Sequence, residues 1–264
     1  MPETSTHTLT GNPTSSSLRR ALALVTAQSV RKSTAGRPVL STGLPAIDGK
    51  LPESGLAAGG LHDMTGAASV GFLIRLLSRL SGPVLWCVSA TEGRRLYGPG
   101  LVRAGLDPAR LTIAAGRTSA DVLWAAEEGL KSRAMAAVVL EPGTALSLTA
   151  SRRLHLAAET GDCFGFVLSP ISGGKAAVPP SAALTRWCVD PQPGLSTERL
   201  PGEVSSWAVR LQRCRGAVLS AASSTAAEEG GSFGEWRVAV GTRGFLRASE
   251  GLGENAPDRL SVAA

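Results

Sequence analysis

The 264-residue sequence is short of aromatic residues, at 4% with Tyr97 the one tyrosine, and short of lysine, with Lys32, Lys50, Lys131 and Lys175. It is also short of histidine and of long apolar runs. Each shortage excludes something. With so few rings, the core has to be packed from Ala, Leu and Val, and there is no aromatic platform on which nucleic-acid bases would stack. His7, His62 and His155 are too scattered to build a metal site or a catalytic triad. Cys87, Cys163, Cys188 and Cys214 include no pair at C-x2-C spacing, so a zinc site is not expected, and no other cofactor is implied. They lie in apolar runs such as VLWCV and DCFGFVL, the setting of buried free thiols in a reducing, cytoplasmic compartment. No apolar run reaches the ~18 residues of a membrane helix, so no membrane partner is expected. The stretch LRRALALVTAQS starts late and is followed by Arg31 and Lys32, which reads as an amphipathic helix rather than a signal segment.

What is present is enough to fold. Hydrophobic residues make up 43% and charged residues 18%, which excludes wholesale disorder and fits one or two domains. The net charge of +6 is carried mostly by arginine. That excess permits contact with nucleic acid or an acidic protein without demanding it, and arginine- and alanine-rich usage also follows from a GC-rich genome.

Residues 1–16 are polar, without periodicity, and read as a flexible tail. Residues 17–33 read as a helix with Ser17 as its cap and Leu18, Leu22 and Val25 on one face. Residues 38–250 read as the core, and residues 251–264 as a second flexible tail. Within the core, GGLHDMTG, PVLWCVSA, LTIAAG, AMAAVVLEPG and CFGFVLSP are strand-length apolar runs. Helical stretches separate them: GFLIRLLSRL, a broken LYGPGLVRAG, SADVLWAAEEGLKSR opened by Ser119 and Asp121, and SLTASRRLHLAAETG capped by Thr149 and stopped by Gly161. Continuous apolar strands alternating with helices predict a parallel sheet covered on both faces. After Pro191 the pattern changes. SSWAVRLQRCR and GEWRVAVGTRG alternate, with Trp207, Val209 and Leu211 on one side and Arg210 and Gln212 on the other. They predict a half-buried antiparallel pair at a sheet edge, joined by a Ser/Ala/Glu/Gly loop around 220–232.

The most informative stretch is Thr65-Gly66-Ala67-Ala68-Ser69-Val70-Gly71-Phe72-Leu73, after a predicted strand and before a predicted helix. That is the place of a phosphate-binding loop, G-x-x-x-x-G-K-[ST], and Gly66 and Gly71 have its spacing. Phe72 stands where the lysine would neutralise phosphate, and Leu73 where a hydroxyl would hold magnesium. Neither side chain can do that work, so the loop reads as vestigial and the protein as not an enzyme.

Leu40-Ser41-Thr42-Gly43-Leu44-Pro45-Ala46-Ile47-Asp48, followed by Gly55-Leu56-Ala57-Ala58-Gly59-Gly60-Leu61-His62-Asp63-Met64-Thr65-Gly66, is similar to the opening of the RecA core. With GPVLWC, LYGPGLVRAGLDPARL, LWAAEEGL, LTASRRLHLAAE and WAVRLQRCRG in order over residues 38–245, the chain resembles the ImuA family. These are RecA-like accessory proteins of a damage-inducible mutagenesis cassette. The resemblance implies a RecA-like α/β core, its parallel sheet flanked by helices, with a C-terminal antiparallel strand extension. It implies a role as adaptor in SOS-induced translesion synthesis. The implied partners are ImuB, a catalytically inactive relative of Y-family polymerases, RecA, and an error-prone C-family polymerase. A SulA-like inhibitor of cell division, a weak ATPase and a single-strand DNA binder are the alternatives.

Other candidate residues follow from their places. Glu92, after the strand ending at Ala90, stands where RecA-like ATPases carry a water-activating carboxylate, and Glu141 stands at the Walker B position. Without a phosphate lysine both read as relics. Residues 170–185 take the place of the family's second DNA-binding loop, where Lys175, with Arg186, is the candidate phosphate contact. Arg94-Arg95, Arg152-Arg153 and the Arg210, Arg213 and Arg215 group are basic clusters, which usually form solvated faces. The last group is a candidate partner contact, as are Leu18, Leu22 and Val25, and its charges equally guard an edge strand. Trp207 and Trp236 are expected to fill the sheet-end core.

Overall fold

The structure, a computed structural model, describes residues 28–29, 34–90, 96–170, 179–192, 203–216, 233–241 and 244–250. The expectations for residues 1–16, for the helix face of Leu18, Leu22 and Val25, for Glu92, Arg94, Arg95 and Lys175, and for the tail after 250 lie outside them. So does the loop expected around 220–232.

The chain enters through β1 (Val39–Leu40), a short helix α1 (Pro45–Asp48) and β2 (Leu56–Ala57), with β1 and β2 pairing antiparallel. The expected strands and helices then alternate. They are β3 (Gly60–Thr65), α2 (Ser69–Leu77), β4 (Val84–Ser89), α3 (Gly98–Arg103), β5 (Leu111–Gly116), α4 (Ser119–Lys131), β6 (Ala137–Glu141), α5 (Leu148–Gly161) and β7 (Phe164–Leu168). Four more strands follow: β8 (Thr185–Gln192), β9 (Glu203–Cys214), β10 (Gly234–Gly241) and β11 (Phe245–Glu250). Among the described residues the main sheet has nine strands in the order β11-β10-β9-β8-β3-β7-β6-β4-β5. The run from β8 through β5 is parallel, and β9, β10 and β11 extend it antiparallel.

Alternation within each strand sorts the core into two layers. Val84, Trp86 and Val88 of β4 and Val139 of β6 join Phe72, Leu73, Leu76 and Leu77 of α2 on one face. Cys87, Val138 and Leu140 join Val122, Ala126 and Leu130 of α4 and Leu154, Ala157 and Ala158 of α5 on the other. Strands buried on both faces are apolar at nearly every position, which is why β7 and β6 up to its last residue, Glu141, read as continuous runs. Trp207, Val209, Leu211, Trp236 and Val238 extend the first layer under the antiparallel strands, as expected for the late tryptophans.

Several details differ from the sequence reading. The N-cap of α4 is Thr118, with Asp121 completing a capping box, and not Ser119. The cap of α5 is Ser147, whose hydroxyl accepts from the Ala150 amide at 3.2 Å, and not Thr149. The helix runs through Gly161 to the left-handed Asp162. β8 and β11 are strands that the pattern did not announce, and β9 is not an edge: it lies between β8 and β10, leaving β11 and β5 outermost. Among the described residues no helix is long and apolar enough to cross a membrane.

Candidate functional site

The phosphate-loop position sits where expected, between β3 and α2. Gly66 has φ +99°, and a Cβ there would lie 2.2 Å from the Val189 carbonyl oxygen, so only glycine fits. α2 has no side-chain cap of its own at Ala68. Two loop amides just ahead of it are taken by the end of β8: Ala67 N–H donates to Asp190 Oδ1 at 3.1 Å and Ala68 N–H to Val189 O at 2.9 Å. The Ser69 amide is turned back to Gly66 O at 3.2 Å. A helix N-terminus attracts negative charge through these orphan amides. The Asp190 carboxylate sits just before that end, bonded to the Ala67 amide, and also accepts from Arg210 Nη2 at 3.3 Å and from the Cys188 thiol at 3.2 Å.

The two replaced positions point inward. Phe72 and Leu73 are both 0% exposed. The Phe72 ring lies 6.0 Å from the Trp187 ring and 5.2 Å from that of Phe245, in the layer between α2 and the sheet. Gly71 faces Trp207: a Cβ there would lie 3.0 Å from the indole Cη2. Arg75, one turn further, stacks on the same indole at 5.1 Å and donates to Gly71 O and Gly241 O, tying α2 to the end of β10. Glu141 ends β6 as expected but is buried, accepting from Trp86 Nε1 at 3.4 Å.

The basic residues are partly engaged inside the protein. Arg186, with 11% of its side chain exposed, pairs with Asp63 at 3.2 Å and donates to Pro179 O at 2.8 Å. Asp63 also accepts from the Ser169 hydroxyl. Arg210 bridges Asp190 and Glu235 at 3.3 Å and 3.2 Å. Arg213 and Arg215 donate to the carbonyls of Ser181 and Ala182 at 3.0 Å and 3.1 Å, pinning the chain just before β8. Burial, and then the nearby Arg215 and Arg186, push the Arg213 pKa below its ordinary value. The structure thus brings Arg186 and Arg213 side by side across β8 and β9, and places Arg210 at the phosphate-loop position.

Sequence reasoning missed Asp190, which fills the loop, and the buried relay behind β3. In that relay Trp187 Nε1–H donates to Thr185 Oγ1 at 2.7 Å. The Thr185 hydroxyl lies 2.8 Å from His62 Nδ1, and His62 Nε2 lies 3.0 Å from Ala57 O. With Nε2 protonated, every group in the chain is satisfied. Burial pushes the His62 pKa down to about 4, so the imidazole is neutral and structural.

No protein-family model matches the chain. It is 38% identical over 198 residues to Protein ImuA of Caulobacter vibrioides strain NA1000 / CB15N, spanning 68% of this chain and 80% of that protein. The match to Protein ImuA of Caulobacter vibrioides strain ATCC 19089 / CIP 103742 / CB 15 has the same identity and extent. Among solved structures, the chain is similar to the crystal structure of the RadB recombinase, with a TM-score of 0.55 at 15% identity, covering 80% of this chain and all of that one. That likeness shows the fold, a RecA-like α/β core, here carrying a C-terminal antiparallel extension.

Proposed function

Because this chain belongs to the ImuA family, we propose that it is a non-catalytic, RecA-like adaptor of SOS-induced, error-prone translesion DNA synthesis. It joins an ImuB-type inactive Y-family polymerase homologue to RecA, with an error-prone C-family polymerase in the same complex. The observation that carries the non-catalytic half is the occupied loop. The Ala67 and Ala68 amides in the first half of the loop are bonded to Asp190 and Val189, and Phe72 and Leu73 are packed in the core. A nucleotide would meet the Asp190 carboxylate bonded to the first half of the loop, and would find neither a lysine nor a metal-binding hydroxyl. What remains is a RecA-like scaffold with exposed strands and helices, suited to binding proteins.

The test is affinity purification of the tagged full chain from DNA-damaged cells, read by mass spectrometry. Recovery of the inactive polymerase homologue together with RecA or the error-prone polymerase is the expected result. Recovery of the division tubulin homologue without these proteins would overturn the reading in favour of a SulA-like role.

A further inference from the structure

Trp86, Trp187 and Trp236 are 0% exposed and Trp207 is 8% exposed. The remaining tryptophan, Trp124, stands in the middle of α4 with 66% of its surface in water. Leu156 of α5 is 60% exposed. The two helices pack side by side on one face of the sheet and, each leading from one parallel strand to the next, run in the same direction. Their C-terminal ends touch, since a Cβ on Gly161 would lie 1.9 Å from Leu130 O. Trp124 precedes Leu130 by six residues and Leu156 precedes Gly161 by five, which is about 9 Å and about 8 Å along each helix. Trp124 and Leu156 therefore stand abreast on the outer side of the helix pair.

Charges of opposite sign flank them. Arg152, one turn before Leu156, is exposed and has no carboxylate partner among the described residues. Glu128, one turn after Trp124, has 52% of its side chain exposed and meets Lys131 at 3.3 Å. Glu127, between the helices, is held by Lys131 at 2.8 Å and by Arg153. Along its length the face thus presents a cation, an apolar pair and an anion. A partner segment of one charge sign would be repelled at one end. The face that fits has the same order reversed, and a second copy of this chain supplies it, because a two-fold axis sets each patch against itself with its ends exchanged.

We infer that the outer face of α4 and α5 is the interface of a two-fold symmetric homodimer. An axis through the middle of the patch, oblique to the helices, sets Arg152 of each copy against Glu128 of the other and crosses the two Trp124–Leu156 pairs at the centre. The indoles supply affinity and the two exchanged ion pairs fix the orientation. This stands on the helix face alone and does not depend on the adaptor reading.

The test is sedimentation velocity of the full chain over a micromolar concentration series. The expected result is a monomer–dimer equilibrium. Trp124→Ala should weaken it at least about thirtyfold, as loss of a central aromatic anchor does. Arg152→Glu and Glu128→Arg should each weaken it about tenfold, since each sets like charges together at both ends. Mixing these two variants should restore the dimer, because every contact then pairs opposite charges. Arg247→Ala, on β11, should leave the dimer unchanged. Circular dichroism checks that each variant is folded. A monomer at every concentration, a dimer that survives Trp124→Ala, single variants that fail to associate on mixing, or open-ended oligomers in place of a dimer would overturn the inference.

Discussion

Trp207 lies directly over Gly71, with the indole Cη2 3.0 Å from where a Cβ would stand. The same indole is stacked by Arg75 at 5.1 Å and met edge-on by Phe245 at 6.2 Å. One tryptophan of the antiparallel extension thus anchors the helix that follows the phosphate loop. Trp207→Ala should cost about 3–5 kcal/mol in urea unfolding. A loss under about 1 kcal/mol would mean that the extension packs only loosely on α2.

Restoring the consensus residues should fail. Phe72 is fully buried between Trp187 and Phe245, so Phe72→Lys places an ammonium in the core. The double variant Phe72→Lys, Leu73→Thr should lose at least about 3 kcal/mol, through cavity and desolvation costs together. It should gain no Mg-ATP affinity. Thermal unfolding with and without Mg-ATP checks both, and a nucleotide-dependent rise in Tm would contradict them.

Asp190 accepts the Ala67 amide at 3.1 Å and pairs with Arg210 at 3.3 Å. Asp190→Ala leaves that amide to water and Arg210 with Glu235 alone, and should cost about 1–2 kcal/mol, since both partners are close enough to the surface to be rehydrated. Asp190→Asn keeps an acceptor for the amide but loses the charge, and should cost less. Equal losses for the two variants, measured by urea unfolding, would show that the carboxylate charge contributes nothing.

Acid should destabilise the protein through His62 well above the carboxylate range. Its pKa falls from the ordinary 6.5 to about 4 in the folded state because burial disfavours the imidazolium. The unfolded chain therefore binds the extra proton first. Stability is full above pH 6.5 and declines as pH falls towards 4, by up to about 3 kcal/mol. The shift of His155, also lowered by burial, adds in the same direction. Urea midpoints measured from pH 8 to pH 4 should show this decline. A flat profile across the window would refute it.

The legibility of the fold in the sequence follows burial. β4, β6 and β7, covered on both faces, leave apolar runs that stand out, and α2, α4 and α5 leave helical periodicity. β8 escaped because TRWCVDPQ is buried only at alternate positions and carries Asp190 and Pro191, which resemble the start of a loop. β11 escaped because an edge strand needs little apolar content. The caps were displaced by one or two residues because neighbouring Ser and Thr are equally qualified by type, and only geometry separates Thr118 from Ser119 and Ser147 from Thr149. At the site, the replacement of lysine and hydroxyl at Phe72 and Leu73 was plain from spacing. That Asp190 fills the loop was not, since it is 123 residues from Ala67 and no local signal links them. Arg186 was visible as a charge, but its pairing with Asp63 arises only from the register of β8 on β3.

The most direct test is isothermal titration of Mg-ATP into the purified full chain, with phosphate release followed in the same samples. With the Ala67 and Ala68 amides held by Asp190 and Val189 and with Phe72 and Leu73 in the core, the predicted result is no saturable heat and no hydrolysis above background. Saturable binding at micromolar concentration, with release of phosphate, would contradict a non-catalytic adaptor and return the protein to the ATPases of its fold.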